Sequence, residues 1–402
     1  MTTGSVPDAP PRGTRPRNRR DLIIAAAVDL FHRYGYEQVS MGEVAKAVNV
    51  SPSALYRHFA GKPELLVAAV VSEMAPFRQI FASVLTASSR IGPDELAGQV
   101  AGVAAEVSRL GTLWRQEARS LPADSYAVLR SEIRSTLDQF TALIRAQRPE
   151  LSEPDALLLA ESTCSALCAT SHRSRDLSRS EFEHVLRDIA GTILNAEPVA
   201  AGAPTARPAG YLPVTRRERL LAAAAALFAE RGYLSVSMEE IGSRAGITGP
   251  TVYYHFGSKQ ELLAATLERG AEWLWRDLYR ALDGTGDAAR GTKVLGAYVA
   301  FIARDSEYAA ILGTETRHLD DTSRDRLQQS HRDFVGEWIE LICIQNPAVG
   351  AAEAKIRLDA VLTFASDISR TQYLCHRPGV FETIEQIGHA VLFPERPVVA
   401  NE

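Results

Sequence analysis

The sequence has few cysteines and lacks the long apolar runs of membrane proteins. Only four of its 402 residues are cysteine, too few for a disulfide framework in so long a chain. No stretch of about 18 or more uncharged apolar residues is present, which argues against a transmembrane helix. The N-terminus is polar up to Leu22, which argues against a signal peptide. Together these absences predict a cytoplasmic protein with free thiols and no membrane partner.

The motifs of common enzyme classes are missing as well. The chain contains no glycine-rich phosphate loop, HExxH or GxSxG, so we expect neither an enzyme nor a bound cofactor. Cys164, Cys168 and His172 stand at helical spacing and could ligate zinc if a fourth ligand came from elsewhere. Small cysteines on a helix rich in Ala and Leu are more often packing residues, so we expect no metal site.

The net charge of −5 is unevenly distributed. Residues 12–62 contain nine basic and four acidic residues (+5), and residues 215–259 contain six and four (+2). The rest of the chain therefore carries −12, because −5 minus 7 is −12. Two basic islands on an acidic body suit two surfaces that meet phosphate. The basic segment 1–17 is predicted to be disordered, either a solubilising tail or an arm that follows the DNA backbone.

An internal repeat organises the chain. Residues 19–70 match residues 216–267 without a gap at an offset of 197, and SPSALYRHF (51–59) aligns with TGPTVYYHF (248–256). Further on, LWRQEARSL (113–121) aligns with ILGTETRHL (311–319) at an offset of 198. The repeat divides the chain into a tail (1–17), a first N-terminal head (18–65), a first larger helical domain (66–195), a Pro/Gly/Ala linker (196–214), a second head (215–262), a second larger helical domain (263–393) and a tail (394–402). The residues described next predict that the heads are DNA-binding domains, and the family resemblance given below implies that the larger domains are effector domains.

Each copy has the pattern of a helix-turn-helix. An amphipathic stretch ends at Gly35 or Gly232, where we expect a left-handed residue. The capping boxes SMGE (40–43) and SMEE (237–240) then start a second helix. Asn49 and Gly246 occupy the turn that requires a positive φ, and Gly and Asn are the residues that tolerate it.

The third helix of each copy is predicted to read DNA. Small residues at its start would enter the major groove, the Tyr, Arg and His side chains would contact phosphate and sugar, and a lysine at the next helix would clamp a phosphate. The predicted contacts are Ser40, Ser51, Ser53, Ala54, Tyr56, Arg57, His58 and Lys62 in the first copy and Ser237, Thr248, Pro250, Thr251, Tyr253, Tyr254, His255 and Lys259 in the second. Alternatively, each histidine caps or packs, and the tyrosines belong to the core.

These residues resemble the N-terminal domain of the TetR family of bacterial transcriptional regulators. The resemblance rests on LF-x-x-x-GY, S-x-x-x-[VI], LYRHF or VYYHF, and K-x-E-LL in both copies. It implies an all-α fold in which each DNA-binding head precedes a helical domain that binds a small ligand and forms the dimer interface. The tandem arrangement is also similar to actinobacterial double-TetR repressors, which act on lipid or sterol uptake and breakdown.

The resemblance implies a repressor that binds a double-stranded DNA operator and is released by a small hydrophobic effector. An activator, or an interaction module that has lost operator binding, remains the alternative. Because one chain supplies both heads, we expect a monomeric pseudo-dimer with pseudo-twofold packing and an operator with unequal half-sites, about 34–36 Å apart. Whether whole chains also dimerise is left open by the sequence.

The effector domains offer one candidate ligand cluster. Trp114, Glu117 and Arg119 lie in an apolar helical context, and Glu315 and Arg317 repeat the Glu-x-Arg pair. We favour an ion pair with a neighbouring helix, because a partly buried charge usually needs a partner. The alternative is an arginine that holds a ligand carboxylate or phosphate.

Overall fold

The computed structural model of the chain describes residues 18–86, 91–107, 109–169, 176–200, 213–284 and 286–395. The predicted N-terminal tail, most of the predicted linker, the last residues of the C-terminal tail and His172 lie outside these ranges. The described residues form helices and no strands, which confirms the all-α fold.

In the described part of the first half, nine α-helices are present, with a continuous irregular helical segment after the sixth. They are α1 (Arg19–Tyr34), α2 (Met41–Ala47), α3 (Pro52–Leu55), α4 (Lys62–Thr86), α5 (Pro93–Glu106), α6 (Leu110–Thr112), a π-helix (Leu113–Glu117), a 3-10 turn (Ala118–Ser120), α7 (Ala123–Gln147), α8 (Glu153–Ala169) and α9 (Arg179–Leu194).

The second half repeats this order. Its elements are α10 (Arg216–Arg231), α11 (Met238–Ala245), α12 (Gly249–His255), α13 (Lys259–Leu282), α14 (Asp287–Arg304), α15 (Ser306–Leu312), a 3-10 turn (Thr316–His318), α16 (Asp321–Gln345), α17 (Ala351–Arg370), α18 (Gln372–Cys375) and α19 (Val380–Leu392).

Two compact units divide these helices, and the boundary falls inside α8. The first unit ends at Leu157; in it α4 packs along α1 and α7, and the rings of Phe81 and Phe140 stack 4.6 Å apart. The second unit contains residues 158–169 and the described residues from 176 onward. Inside it, α9 packs against α17 and α19, so the last helix of the first half shares a core with the second half.

Helix α4 is long and apolar enough to cross a membrane by length and composition alone, with a mean hydropathy of 1.4 over its best window. The core helix of a soluble bundle has the same length and composition. Leu65, Leu66 and Ala69 are fully buried in the helix, which begins directly after the DNA-binding head. We interpret α4 as the helix that connects the first head to its bundle.

The ends of α1 and α10 differ from the expectation of a left-handed cap. Gly35 (φ 81°, ψ 149°) and Gly232 (φ 76°, ψ 155°) have positive φ but extended ψ. This region is accessible essentially only to glycine. The chain therefore leaves each helix in an extended direction, which places Tyr36 or Tyr233 beneath the head.

Candidate nucleic-acid interface

The second helix of each head is fixed by its predicted capping box. The amide of Glu43 donates to Ser40 Oγ (3.2 Å), and the amide of Ser40 donates to Glu43 Oε2 (2.7 Å). Ser237 and Glu240 repeat both bonds at 3.2 and 2.8 Å. These hydrogen bonds lower the pKa of the Glu43 and Glu240 carboxyls. Both predicted DNA-contacting serines thus hold a helix end in this structure.

The turn between the second and third helices has the predicted backbone. Asn49 has φ 54° and is the sole non-glycine residue with positive φ in the described ranges. Gly246 occupies the equivalent place with φ 65° and ψ 39°, a left-handed conformation. This turn directs the third helix across the second, with Leu55 and Phe59, or Val252 and Phe256, buried beneath it. The helix-turn-helix geometry is therefore present in both copies.

The first recognition helix presents a small polar start and an aromatic end. Ser51 caps α3 by accepting from the amide of Ala54 (3.2 Å), and its Oγ lies 3.0 Å from Ser53 Oγ. The side chain of Tyr56 is exposed, as is that of Arg57 beside it. His58 is half-buried and directly precedes Phe59, the buried aromatic anchor of this helix (Phe256 in the second copy). It is therefore less accessible to DNA than Tyr56 and Arg57.

The second recognition helix has the same frame with other side chains. Thr248 Oγ1 and Thr251 Oγ1 lie 3.2 Å apart, and Pro250 is exposed between them. Tyr254 is 84% exposed, the most open large side chain of this helix, whereas the hydroxyl of Tyr253 reaches Glu239 on α11 at 3.5 Å. Tyr254 also packs edge-on against half-buried His255.

The lysines predicted to clamp phosphate have another role in this structure. Lys62 Nζ donates to the carbonyls of Tyr36 (2.8 Å) and Glu37 (3.3 Å), and it lies 4.3 Å from the centre of the Tyr36 ring. Lys259 Nζ donates to the carbonyls of Tyr233 (2.9 Å) and Val236 (2.8 Å). Burial lowers the pKa of Lys259, against the opposing effect of Glu240.

The amides near these lysines are occupied too. Glu64 Oε2 accepts from the amide of Ala60 (2.6 Å), and Glu261 Oε2 accepts from the amide of Gly257 (2.8 Å). A carboxylate already fills the position in which a phosphate would meet these N–H groups. In this structure Lys62 and Lys259 therefore tie the loop after the first helix to the start of the fourth, and a phosphate contact by either lysine stays a prediction.

Two arginines that the sequence reading left out lie at the same surface. The guanidinium of Arg20 stacks 4.8 Å from the centre of the Phe59 ring, and that of Arg217 stacks 4.4 Å from the Phe256 ring. Both arginines are exposed and stand 197 positions apart, so each head repeats the contact. The sequence signal for these two residues is the repeat itself, because its offset places an arginine at the same position of the first helix in both copies. Arginine stacked on an aromatic ring remains charged and free to meet a phosphate.

The Glu-x-Arg cluster connects each effector domain to its own head. Glu117, only 6% exposed, accepts from the amide of Tyr36 at 2.6 Å. Glu315, 1% exposed, accepts from the amide of Tyr233 at 3.2 Å, and the His318 ring stacks on the Tyr233 ring. The two glutamates thus hold backbone amides of the head, a contact that neither prediction anticipated.

The other residues of the predicted ligand cluster lie outside that contact. Arg119 is half-buried and Arg317 is exposed, with Nε 3.3 Å from His318 Nε2. Trp114 is half-buried and stacks on Tyr126 at 6.0 Å. Cys164 and Cys168 are free thiols on α8, and burial raises the pKa of Cys164. Over the ranges that the structure describes, no group of His, Cys, Asp and Glu is arranged to hold a metal.

An open cleft of about 400 Å³ lies beside the second head, among α10, α13 and α16. Its lining is largely polar and includes Arg217, Ser258, Gln260, Glu268, Ser323 and Arg326. A polar, open cleft of this kind does not match the hydrophobic effector site that the sequence predicts.

Comparison with known proteins bears on both heads. The protein-family model described as bacterial regulatory proteins, tetR family, matches residues 23–69 and 220–266 of the sequence. The transcriptional repressor KstR2 of Mycolicibacterium smegmatis is 26% identical over 184 residues, which are 45% of this chain and 88% of that repressor. The activator FasR of the same organism is 40% identical over 93 residues, 23% of this chain and 42% of FasR.

A solved structure was also matched. The ketosteroid transcriptional regulator KstR2 of Mycobacterium tuberculosis aligns with a TM-score of 0.40 and 22% identity, over 46% of this chain and 96% of that one. The sequence of the M. smegmatis KstR2 thus matches most of its own length with less than half of this chain.

Proposed function

Because the chain is a TetR-family transcriptional regulator with two tandem DNA-binding domains, we propose that it represses transcription by placing two unequal heads on one operator. Two family domains in a single polypeptide carry this proposal. A TetR-type dimer of identical chains would present the same recognition helix twice and prefer a palindrome. In this chain Ser53 and Ala54 face one half-site, whereas Pro250 and Thr251 face the other.

The division between shared and unshared residues supports an asymmetric operator. Both heads carry the exposed tyrosine after the small residues, the half-buried histidine and the arginine stacked on the anchor ring. We propose that the tyrosine and the arginine contact phosphate and sugar, and such contacts position a protein without reading sequence. The base-facing positions at the start of each helix differ, and they determine which sequence is bound.

The effector is proposed to be a small hydrophobic molecule bound by one or both helical domains. Relatives with the names KstR2 and KstR are repressors, and one solved relative is described as a ketosteroid regulator. A lipid- or sterol-derived effector, acting in the cytoplasm, is consistent with those names. FasR, named as an activator, favours activation as the second candidate function.

Release from DNA follows from thermodynamic linkage between the effector site and the DNA-binding surface of each half. An effector that binds better to one head orientation shifts the population toward it, and coupling of about 1–3 kcal/mol is enough to be useful. The hydrogen bonds from Tyr36 to Glu117 and from Tyr233 to Glu315 are direct connections between head and effector domain. We propose that the effector acts through the helices that carry these glutamates.

Selection of operators from a random DNA library with the full chain tests the proposal. We expect a site with two unequal halves, and a perfect palindrome as the best site would refute the asymmetric reading. The variant P52G/S53P/A54T gives the first helix the three residues of the second. Its selected site should become symmetric, with both halves like the second.

The same variant separates the proposal from the interaction-module alternative. A chain that has lost operator binding would select no sequence above background, with or without the substitution. A control, T86A, removes an exposed hydroxyl at the far end of α4 and should leave the selected site unchanged.

A further inference from the structure

A fully buried arginine joins the last helix of the first half to the second half. Arg357 on α17 has no exposed surface, and its Nε donates to Glu353 Oε1 (2.7 Å) while its Nη1 donates to the carbonyl of Val391 (2.9 Å). Its Nη2 donates to Asp188 on α9. A buried guanidinium must be compensated by such partners, and Asp188 is the one that the first half supplies.

The internal repeat shows that the Arg357–Asp188 pair has no equivalent when the two halves are exchanged. At the offset of 198, the buried positions of α8 coincide with those of α17, and those of α9 with those of α19. At the same offset Arg357 corresponds to Leu159, which is fully buried, and Asp188 corresponds to Gln386. The two halves therefore carry equivalent apolar faces that differ in charge at this position.

We propose that the Arg357–Asp188 pair makes the first half pair with the second half of the same chain and disfavours pairing of identical halves between chains. Pairing two second halves in this way would put Gln386 opposite Arg357. Pairing two first halves would put Asp188 opposite Leu159. Either exchange removes the charge-assisted Arg357–Asp188 bond and forms no new one. Two chains that exchange halves therefore lose the interaction free energy of this pair twice, once for each chain. The inference rests on the proposal that one chain supplies both heads.

Two further hydrogen bonds within the second unit also favour pairing of the first half with the second half. Glu161 on α8 accepts from the hydroxyls of Thr371 (2.6 Å) and Tyr373 (2.8 Å), whereas its counterpart Asp359 accepts from Lys355 within its own helix (2.6 Å). A second half placed opposite itself would lack the Glu161 acceptor.

The chain that leaves α9 also lies on the second half. The amide of Val199 donates to Thr383 Oγ1 (3.0 Å), and Arg377 Nη2 donates to the carbonyl of Val199 (3.2 Å). A Cβ at Gly379 would lie 2.9 Å from that carbonyl, so glycine permits the approach. The connection is thus held against the half that it leads to, which favours closure within one chain.

The test is co-expression of two full chains with different affinity tags, followed by purification on one tag and measurement of the other. D188Q makes position 188 identical to position 386, so all pairings become equivalent there. D188R puts two cations together in the native pairing and should reverse the preference. We expect the co-purified fraction to rise from wild type to D188Q to D188R, by about tenfold overall, since close like charges cost several kcal/mol.

Matched variants make the result specific. R187Q removes an exposed charge one residue away on α9 and should behave as wild type. D188R/R357E reverses the pair and should return the co-purified fraction toward the wild-type value. Circular dichroism must show unchanged helix content in each variant. If D188R fails to fold, the comparison of the co-purified fractions of wild type and D188Q decides. D188Q is expected to fold, because Asp188 is partly exposed and glutamine is tolerated at its counterpart.

The inference is overturned if wild-type chains co-purify as strongly as D188R, or if D188Q and D188R both match wild type. Neither result depends on DNA, because tag co-purification is measured without an operator. Failure of the wild-type chain to select an operator would instead contradict the proposed function and leave the pairing result intact.

Discussion

Glu117 in the effector domain accepts a hydrogen bond from the amide of Tyr36 in the DNA-binding head, 81 residues earlier, at 2.6 Å. Lys62 Nζ donates to the carbonyl of the same residue at 2.8 Å. The backbone of Tyr36 is therefore held on one side by the effector domain and on the other by α4. Burial, assisted by Glu37, raises the pKa of the Tyr36 phenol to about 12, so its ring stays neutral.

Loss of this carboxylate should loosen the first head. Glu117→Ala removes a buried, charge-assisted hydrogen bond, for which we expect a loss of about 2 kcal/mol in unfolding free energy and faster exchange of the Tyr36 amide. Glu117→Gln keeps an acceptor and should lose about half as much. Denaturant unfolding and hydrogen exchange measure the two effects.

Glu37→Gln is the matched control, because it removes a carboxylate from the same loop and leaves the Glu117 bond in place. Equal exchange of the Tyr36 amide in Glu117→Ala and Glu37→Gln would show that the Glu117 bond does not hold the head.

Glu117 also shows where the sequence was informative. The repeat, the capping boxes and the positive φ at Asn49 could be predicted because each depends on a few residues that are close in the chain. The Glu117–Tyr36 bond joins residues 81 apart, and Glu-x-Arg gives no local sign of its partner. The carbonyl bonds of Lys62 could not be predicted for a related reason: a lysine at a helix start looks the same in sequence whether it faces DNA or a carbonyl 26 residues away.

The salt dependence of DNA binding should distinguish Arg57 from Lys62. Each phosphate contact adds about 0.9 to the slope of log affinity against log salt concentration. Arg57→Gln should therefore reduce that slope by about 0.9. Lys62→Met retains the apolar stem of a side chain that holds carbonyls, so the slope should be unchanged while stability falls by about 1–2 kcal/mol. Filter binding over a range of salt concentrations measures the slopes.

A reduced slope for Lys62→Met, as large as that of Arg57→Gln, would return the lysine to the phosphate-contacting set. Lys46→Gln, which changes an exposed lysine in the last turn of α2, serves as the comparison.

The two turns should respond differently to substitution of the residue that has positive φ. Asn49→Gly places the residue most tolerant of φ 54° at the first turn and should change stability by a few tenths of a kcal/mol. Gly246→Ala forces a Cβ into φ 65° and should cost about 1 kcal/mol, although nothing lies within 4 Å of the added carbon. Urea midpoints measure both. An equal loss in the two variants would mean that the backbone conformation is not the cause.

The capping boxes should make the heads sensitive to acid. Hydrogen bonds from Ser40 lower the pKa of Glu43 below its ordinary value of 4.5, as those from Ser237 do for Glu240. A carboxyl with a depressed folded pKa stabilises the fold above its unfolded pKa, and the contribution is lost as pH falls through the folded value. At pH 7 Ser40→Ala should cost about 1 kcal/mol, the usual effect of deleting a serine cap. Thermal unfolding from pH 7 to pH 3 should show the difference between Ser40→Ala and wild type shrinking below about pH 4.5. A stability difference that stays constant over this pH range would show that the contribution of the Ser40 cap does not depend on the ionisation of Glu43.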